Sequence, residues 1–512
     1  MKQVCNRILA ILAAVFLLAV SLPAVLAENL PAQWDGYHSQ NGLTQALTPR
    51  NASEASLKWR AALKSAEDWA TAVSEPLLIG GQVYIAVGNQ LLVLDGDGNI
   101  AGQGDLAGAI GYTCRPLYAD GRVMVPLADG SLQALAADSL TSLWLTEPPA
   151  PYQSETGPME HQALTTLTGD DGRVYMGTAC ADWTASYYGV FRCINTANGE
   201  VVWEYVNSQA GYYWSGAARM GDALLIAGDD GILTSLDALT GEMLDTYDLG
   251  APVRSTLTAD GNTLLAVSTD GVLHKLDVTD GKLDGHESVA FASTSTGTPT
   301  VWNGMVYVGG CLSEEENYAG VLAVVDLEDM AIVQRVTTPA DVKAAPLVTT
   351  GYGEEVYAYF TANTQPGGVY VLHLGEVSAD AAVLYTPQPD VQNYCMASVI
   401  ADENGVLYYT NDSGTLFAIE STGNSQTGPS GSQTTTDTSQ TDAGTSRTGS
   451  DDTQAASDVS QTNPVSTAGE STLPEDAASP DTGDQSGAGL ALALAAGMAA
   501  AAGLLNRRWQ RG

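Results

Sequence analysis

The side chains best suited to catalysis or metal binding are scattered along this 512-residue chain. The segment Asp95-Gly96-Asp97-Gly98-Asn99 resembles the start of a Ca²⁺ loop, but the distal glutamate of such a loop is missing, so we predict a turn between two strands. The acidic run Glu314-Glu315-Glu316 indicates a solvated loop. The histidines have neither the HExxH pattern nor another paired metal spacing; they are His38, His161, His274, His286 and His373. We therefore expect no catalytic residues, no metal and no cofactor.

Cysteines are sparse. Those downstream of the predicted signal-peptide cleavage site described below are Cys114, Cys180, Cys193, Cys311 and Cys395. Because their number is odd, at least one is free or pairs between chains. Cys180 and Cys193 are the tempting pair, but strand register places Cys193 opposite roughly residues 173–175. Bridging requires Cα atoms within about 7 Å, so we expect this pair to be unbonded.

The charge balance excludes one class of partner. The formal net charge is −39, with only 20 Lys and Arg residues. Recognition of a phosphate backbone requires clustered cations, so we exclude a nucleic-acid-binding protein. The hydrophobic share of 45% is enough to bury a large core.

Residues 1–27 have the pattern of a secretory signal peptide. Lys2 and Arg7 precede an apolar stretch at residues 8–20, and Val25-Leu26-Ala27 fits the small-x-small cleavage rule. A membrane anchor is the competing interpretation, although the apolar stretch is short for a spanning helix. We expect export, with cleavage after Ala27.

The composition changes sharply at residues 421–478, where Ser, Thr, Gly, Asp and Gln dominate and aromatic residues vanish. Such a segment cannot bury enough apolar surface to offset the entropy lost on ordering. We therefore predict a disordered stalk. Glycosylation of its hydroxyl side chains and an unmodified linker are equally compatible with this composition.

Residues 479–512 contain a motif, an apolar run and a basic end in that order. The motif is Ser479-Pro480-Asp481-Thr482-Gly483, the apolar run spans residues 487–505, and Arg507, Arg508 and Arg511 follow. This order resembles the sorting signal of Gram-positive surface proteins, in an SPxTG variant of LPxTG. The resemblance implies that sortase cleaves after Thr482 and joins it to peptidoglycan, after transient membrane anchoring by the apolar helix. A plain C-terminal membrane anchor is the alternative.

An internal repeat fills residues 28–420. An apolar strand, a glycine turn and a second apolar strand recur eight times, at steps of roughly 40 to 52 residues, the period of a propeller blade. The turn glycines are Gly81, Gly121, Gly172, Gly221, Gly261, Gly304, Gly353 and Gly405. Further strands follow, as in GDDGILTSLDALTGEML, so each unit is predicted to be a four-stranded antiparallel meander. A single sheet cannot bury both of its faces. In a ring of sheets, each sheet packs both faces against its two neighbours.

The last repeat ends at Glu420 without a fourth strand. The segment Leu57-Lys58-Trp59-Arg60 has the pattern of a fourth strand, such as VVWEY. We predict that this N-terminal strand completes blade eight and closes an all-β, eight-bladed propeller.

The repeats carry a family resemblance. Trp34 with Asn41-Gly42, the LKW segment and repeated LD-x-x-TG units ending in tryptophan resemble the PQQ-like β-propeller superfamily. Its members include quinoprotein alcohol dehydrogenases and the lipoprotein of the β-barrel assembly machinery, and similar segments recur in cell-surface propellers of Firmicutes. A dehydrogenase resemblance would imply PQQ, Ca²⁺, a catalytic Asp, two adjacent cysteines and a Trp floor. This sequence has no adjacent cysteines, so we expect no PQQ.

We predict a ligand face where long insertions meet the loop that leads into blade four. The meander places the loops between blades and the turns between second and third strands on one face. Exposed aromatic rings beside an acidic surface suit sugar stacking or peptide contacts; packing of the insertion against the blade is the alternative. The candidate residues are Trp183, Tyr187, Tyr188, Tyr212, Tyr213 and Trp214.

These features predict a non-enzymatic module anchored to the cell wall of a Gram-positive bacterium. It would present a binding or scaffold face to an extracellular protein or glycan. An enzyme that uses the central funnel, either a PQQ-type oxidoreductase or a hydrolase, and an envelope assembly scaffold are the alternatives.

Overall fold

Each repeat forms a four-stranded antiparallel sheet, and eight such sheets surround one central channel. The computed structural model describes residues 29–155, 157–182, 185–312, 319–374 and 381–422. The predicted all-β, eight-bladed propeller is confirmed. The predicted signal peptide and sorting signal lie outside the described residues, as do the predicted stalk from residue 423 onward, Trp183 and Glu314–Glu316.

The strands follow the chain blade by blade. The N-terminal segment contributes β1 (Ala32–Trp34), a 3-10 turn (Ser39–Gly42), β2 (Leu43–Thr44) and β3 (Ala55–Ala62). Blade 1 has β4 (Leu77–Ile79), β5 (Gln82–Val87), β6 (Gln90–Leu94) and β7 (Ile100–Asp105). Blade 2 has β8 (Leu117–Ala119), β9 (Arg122–Pro126), β10 (Leu132–Ala136) and β11 (Ser142–Leu145). A hairpin, β12 (Tyr152–Ser154) and β13 (Gly157–Met159), precedes blade 3.

Blade 3 has β14 (Thr168–Asp170), β15 (Arg173–Gly177), the short β16 (Cys180–Ala181), β17 (Ser186–Asn195) and β18 (Val201–Asn207). Blade 4 has β19 (Ala218–Met220), β20 (Ala223–Ala227), β21 (Ile232–Asp237) and β22 (Met243–Asp248). Blade 5 has β23 (Thr258–Asp260), β24 (Thr263–Ser268), β25 (Val272–Thr279) and β26 (Lys282–Ala290). Blade 6 has β27 (Thr300–Trp302), β28 (Met305–Cys311), β29 (Gly320–Asp326) and β30 (Ala331–Thr338).

Blade 7 has β31 (Leu347–Tyr352), β32 (Glu355–Thr361), β33 (Val369–Leu374) and β34 (Ala382–Tyr385). A second 3-10 turn (Pro389–Val391) leads to blade 8, which has β35 (Ile400–Ala401), β36 (Leu407–Thr410), β37 (Thr415–Ser421) and the N-terminal β3. None of the helices in the described ranges is long and apolar enough to cross a membrane.

The first strand of each blade lies innermost. First strands of neighbouring blades contact one another, as β14 does with β8 and β19. We call the end of the channel where first strands turn into second strands the turn face. The opposite end carries the loops that lead into each blade and the turns between second and third strands, and we call it the loop face.

Hydrophobic packing between blades forms the core. In blade 1, Leu77 packs in a cluster with Val125 of blade 2, whereas the next residue, Leu78, packs in a cluster with Phe417 of blade 8. This alternation follows from the period of two along a strand. Full burial of one such side chain stabilises by about 1.5–3 kcal/mol, so each blade depends on both neighbours.

Tryptophans on outer strands lock neighbouring blades together. The indole Nε1 of Trp203 in blade 3 donates to the carbonyl of Ala238 in blade 4, at 3.1 Å. Its ring covers Gly241, whose φ is +73°, and a Cβ there would lie 2.7 Å from the ring. Trp59 covers Gly98 and Trp144 covers Gly199 in the same way. The glycines at these three turns are therefore required by contact as well as by backbone conformation.

Blade 8 is closed by the N-terminal strand, as predicted. β3 pairs antiparallel with β37, from Ala55 opposite Ser421 to Ala62 opposite Thr415, with one bulge between Leu57 and Trp59. Thr422 extends the contact, since its N–H donates to the carbonyl of Glu54 at 2.6 Å. The first and last parts of the propeller are thus held in one sheet.

The contact between Trp203 and Gly241 can be tested with a matched pair of variants. Gly241→Ala is expected to destabilise the protein by about 2 kcal/mol more than Gly261→Ala, because overpacking costs about 1–3 kcal/mol. Both glycines have positive φ, but a Cβ at Gly261 has nothing within 4 Å. Chemical denaturation of both variants measures the difference. Equal losses in the free energy of unfolding would show that the contact with the Trp203 ring does not contribute to stability.

Candidate functional site

The N-terminal segment forms a plug in the channel. β1 runs antiparallel to β4 of blade 1 and β2 runs parallel to β31 of blade 7, both as additional innermost strands. Because β4 and β31 run from the loop face to the turn face, the chain enters from the turn face and returns to it. The tip of this loop, near Tyr37 and His38, therefore lies inside the channel.

Side chains from several blades hold the plug tip. The hydroxyl of Tyr37 lies 3.2 Å from Thr298 Oγ1 in blade 6, and the guanidinium of Arg115 in blade 2 lies 3.6 Å from the Tyr37 ring centroid. His38 Nε2 lies 3.0 Å from Thr300 Oγ1. Burial, and then the positive charge of Arg115, lower the pKa of His38 to about 4, so its ring is neutral at physiological pH. The plug thus fills the channel on the side of the turn face. We call the part of the channel between the plug tip and the loop face the cup.

A ring of eight positions forms the wall just above the plug. Each is the second residue before an innermost strand, so the repeat itself generates the ring. Its members are Glu75, Arg115, Thr166, Gly216, Thr256, Thr298, Ala345 and Ser398. Hydrogen bonds link neighbours around it: Arg115 donates to Thr166 Oγ1 at 3.0 Å, and the N–H of Thr256 donates to Thr298 Oγ1 at 3.1 Å.

Gly216 lets two members of the ring meet. Thr166 Oγ1 and Thr256 Oγ1 are 2.8 Å apart, although a whole blade separates them in sequence. A Cβ on Gly216 would lie 2.7 Å from Thr256 Oγ1 and 2.8 Å from Thr166 Cβ. The ring is therefore continuous at Gly216, because the two threonines contact each other directly where glycine has no side chain.

Glu75 and Arg115 are the only charged pair in this ring. The N–H of Ser398 donates to Glu75 Oε1 at 3.3 Å. Burial raises the pKa of Glu75 to about 7, even though Arg115 and this hydrogen bond act in the opposite direction. Glu75 thus changes charge near neutral pH, at the floor of the cup.

Aromatic and charged side chains line the mouth of the cup. Tyr112 is 36% exposed, yet protein surrounds it closely enough that burial, and then nearby Asp412, Cys395 and Tyr213, raise its pKa well above the usual value. Across the mouth, Arg254 lies 4.8 Å from the Tyr213 ring centroid and pairs with Asp229 at 3.0 and 3.1 Å.

The predicted ligand residues occupy different environments. Tyr213 lies at the mouth and contacts Trp214, with 5.2 Å between ring centroids. Tyr212 is only 2% exposed and packs edge-on against Phe191, and Trp214 is 8% exposed. Burial places these two rings in the core rather than on the surface. Tyr213 is thus the member of this loop that the structure presents to the cup.

The other predicted aromatics belong to the insertion of blade 3. Tyr188 stacks on Tyr152 of the hairpin with 5.0 Å between ring centroids, and His161 packs edge-on against it. Tyr187 is half-buried, and its hydroxyl donates to Asp182 at 3.1 Å. These contacts fix the hairpin to the insertion. The insertion lies on the loop face beside the loop that carries Tyr213, since the N–H of Gly211 donates to Ser186 Oγ at 2.6 Å.

Two local predictions from the sequence are confirmed. Asp95–Asn99 form a turn between β6 and β7, in which Asp95 Oδ1 accepts from the N–H groups of Asp97 and Asn99 at 3.0 and 2.9 Å. Cys193 lies opposite Tyr175, within the predicted window, and Cys180 and Cys193 are free thiols.

The described residues contain no group of three or more His, Cys, Asp or Glu side chains arranged to hold a metal.

Sequence reasoning missed the plug, Arg115, Glu75 and Tyr112. The plug residues lie outside the repeat, so no internal comparison points to them. The ring positions could have been found by aligning the eight copies of the repeat on their turn glycines. The second residue before the first strand of each copy is then a ring position.

The cup does not fit the quinone site that the resemblance implies. The five described cysteines are buried, and none is adjacent to another in sequence. Trp214, beside Tyr213, is 8% exposed and too buried to offer a face to a planar cofactor. We therefore derive no step through such a group.

The family model described as outer membrane protein assembly factor BamB matches residues 45–212 and 188–427. These matches span most of the propeller. The chain belongs to this family of PQQ-like propellers. A comparison with curated proteins found no match.

Solved structures with the same fold include enzymes and a non-catalytic assembly factor. Quinohemoprotein alcohol dehydrogenase from Comamonas testosteroni aligns with a TM-score of 0.58 at 14% identity, over 77% of this chain and 81% of that one. BamB from Moraxella catarrhalis aligns with a TM-score of 0.51 at 15% identity, over 72% and 99%. The computationally designed Ika8 protein aligns with a TM-score of 0.50 at 14% identity, over 69% and 98%. At such identities the likeness shows the fold alone.

Glu75→Gln tests the electrostatics of the cup floor. Since the folded pKa is above the unfolded value, the wild-type protein loses stability as pH rises from about 5 through 7, by at most about 1.4 kcal/mol per pH unit. The amide side chain of the Glu75→Gln variant does not ionise in this pH range. Its melting temperature relative to wild type is therefore expected to be higher at pH 8 than at pH 5. A difference that does not change with pH would contradict the assignment.

Proposed function

We propose that this chain is a non-enzymatic binding module displayed on the cell surface, with the loop face turned toward an extracellular protein or glycan. The observation that carries this proposal is the polarity of the propeller. The plug and the chain ends lie on the side of the turn face, whereas the loops leading into each blade and the blade-three insertion lie on the loop face.

The chain also leaves the propeller on the plugged side. β37 runs from the loop face to the turn face and ends at Ser421, and Thr422 is bonded to Glu54 beside the start of β3. A stalk that begins here would connect the turn face to the anchor. The cup and the aromatic insertion would then point away from the cell wall.

The chemistry of the loop face suits recognition rather than simple spacing. Tyr112 and Tyr213 supply aromatic surface, and the pair of Arg254 and Asp229 supplies hydrogen-bonding groups at the same mouth. Aromatic rings beside charged groups dominate binding energy in many interfaces. Anchoring through Thr482 by sortase would keep this face on the outside of a Gram-positive cell.

A binding experiment should distinguish the two faces. We expect Tyr112→Ala combined with Tyr213→Ala to weaken capture of glycans or surface proteins by the mature chain about 10-fold or more, since central aromatic contacts contribute about 2 kcal/mol or more. Trp302→Ala is the matched control, because Trp302 is 37% exposed but lies at the turn between β27 and β28 on the turn face. A loss with Trp302→Ala alone would reverse the assigned orientation. Uptake of PQQ and Ca²⁺ without partner binding would favour an oxidoreductase.

Anchoring can be tested separately. Thr482→Ala is expected to move the protein from the peptidoglycan fraction to the membrane and the medium, because the proposed acyl link forms at Thr482. Thr472→Ala, ten residues upstream, is the control and should remain in the wall fraction. Wall attachment of Thr482→Ala at the wild-type level would refute sortase anchoring through this residue.

A further inference from the structure

Blade 5 contains a chain of four polar side chains away from the cup. The hydroxyl of Ser268 donates to Asp270 Oδ1 at 2.5 Å and lies 2.8 Å from His274 Nε2. On the other side of the same ring, His274 Nδ1 lies 3.0 Å from His286 Nε2. His274 is on β25 and His286 is on β26, on the same face of the sheet and diagonal to each other.

The hydrogen bonds assign the tautomer of His274. Because the hydroxyl proton of Ser268 is directed to Asp270, the Ser268 oxygen accepts from the Nε2–H of His274. The Nδ1 atom of His274 then carries a lone pair directed at His286. Metal-binding histidines are commonly oriented in this way, by a hydrogen bond from the ring nitrogen that does not bind the metal.

We propose that His274 Nδ1 and His286 Nε2 form a binding site for a divalent transition-metal ion of the Zn²⁺, Ni²⁺ and Cu²⁺ class. Imidazole nitrogens suit these ions, and Ca²⁺ or Mg²⁺ would favour oxygen ligands. Asp270 and Ser268 act as positioning residues behind His274. Water would complete the coordination on the more accessible side.

The distance between the two nitrogens supports this proposal. Zinc binds imidazole nitrogen at about 2.0–2.1 Å, so two nitrogens on one ion at an angle between 90° and tetrahedral lie about 2.9–3.4 Å apart. The observed separation of 3.0 Å falls within this range. The ring centroids are 5.3 Å apart, so the two nitrogens face each other along one line and both rings have to tilt to share an ion. The proton on His286 Nε2 would move to Nδ1 of the same ring.

The two proposed ligands differ in how accessible they are to solvent. His274 is 4% exposed, whereas His286 is half-buried and packs against Tyr247 of blade 4, with 4.9 Å between ring centroids. The large negative charge of the chain raises the local concentration of cations.

The test is titration of the full chain with Cu²⁺, Ni²⁺ and Zn²⁺ by calorimetry at pH 7.5, with Mg²⁺ as the hard-ion control. We expect His286→Gln to weaken Cu²⁺ binding at least about 10-fold, since loss of even an outer partner costs about 10–100-fold. Ser268→Ala is expected to weaken it by about 10-fold through loss of orientation. His373→Gln is the matched control and should bind like wild type, because His373 stacks on Tyr357 in blade 7.

A spectroscopic measurement keeps the proposal open to refutation if a variant folds poorly. The electron paramagnetic resonance spectrum of the wild-type Cu²⁺ complex should show coupling to two imidazole nitrogens. Coupling to one nitrogen, or equal affinities of wild type and a folded His286→Gln variant, would overturn the site. The histidine pair would then only share a hydrogen bond.

Discussion

The pairing of β3 with β37 is the contact on which the rest of the structure depends. Every blade buries its two faces only against its neighbours, so an open ring would expose the apolar faces at both ends. Seven residue pairs join the two strands. Because they come from the first and last parts of the propeller, blades 1 and 8 cannot complete their packing until the whole repeat region has been assembled.

This closure also explains the position of the plug. β3 must begin at the turn face to run antiparallel to β37, so the preceding chain has to reach that face. It does so through β1, the loop at Tyr37 and β2, which together fill the lower channel. The same constraint makes the two faces of the propeller chemically different. One carries the plug and the chain ends, and the other carries the loops leading into each blade and the insertions.

The repeat made the fold predictable, and its interruption limited the prediction of sites. Turn glycines and the LKW strand were enough to place eight blades and the closing strand. The partition of Tyr212, Tyr213 and Trp214 between core and mouth was not predictable, because an irregular loop with Trp214 at φ 60° has no period to follow. The contact between His274 and His286 was not predictable, because it follows from the pairing register of β25 with β26, which makes the two residues diagonal neighbours.

The exit of the chain at Thr422 has a mechanical consequence. A pull applied there and resisted at the loop face acts along the axis of β37, which is hydrogen-bonded to β36 on one side and β3 on the other. Load along the strand axis stresses these bonds together in shear, whereas a pull across the sheet would open them one at a time. A propeller tethered at this point would resist drag on a bound partner better than one tethered at an outer strand edge.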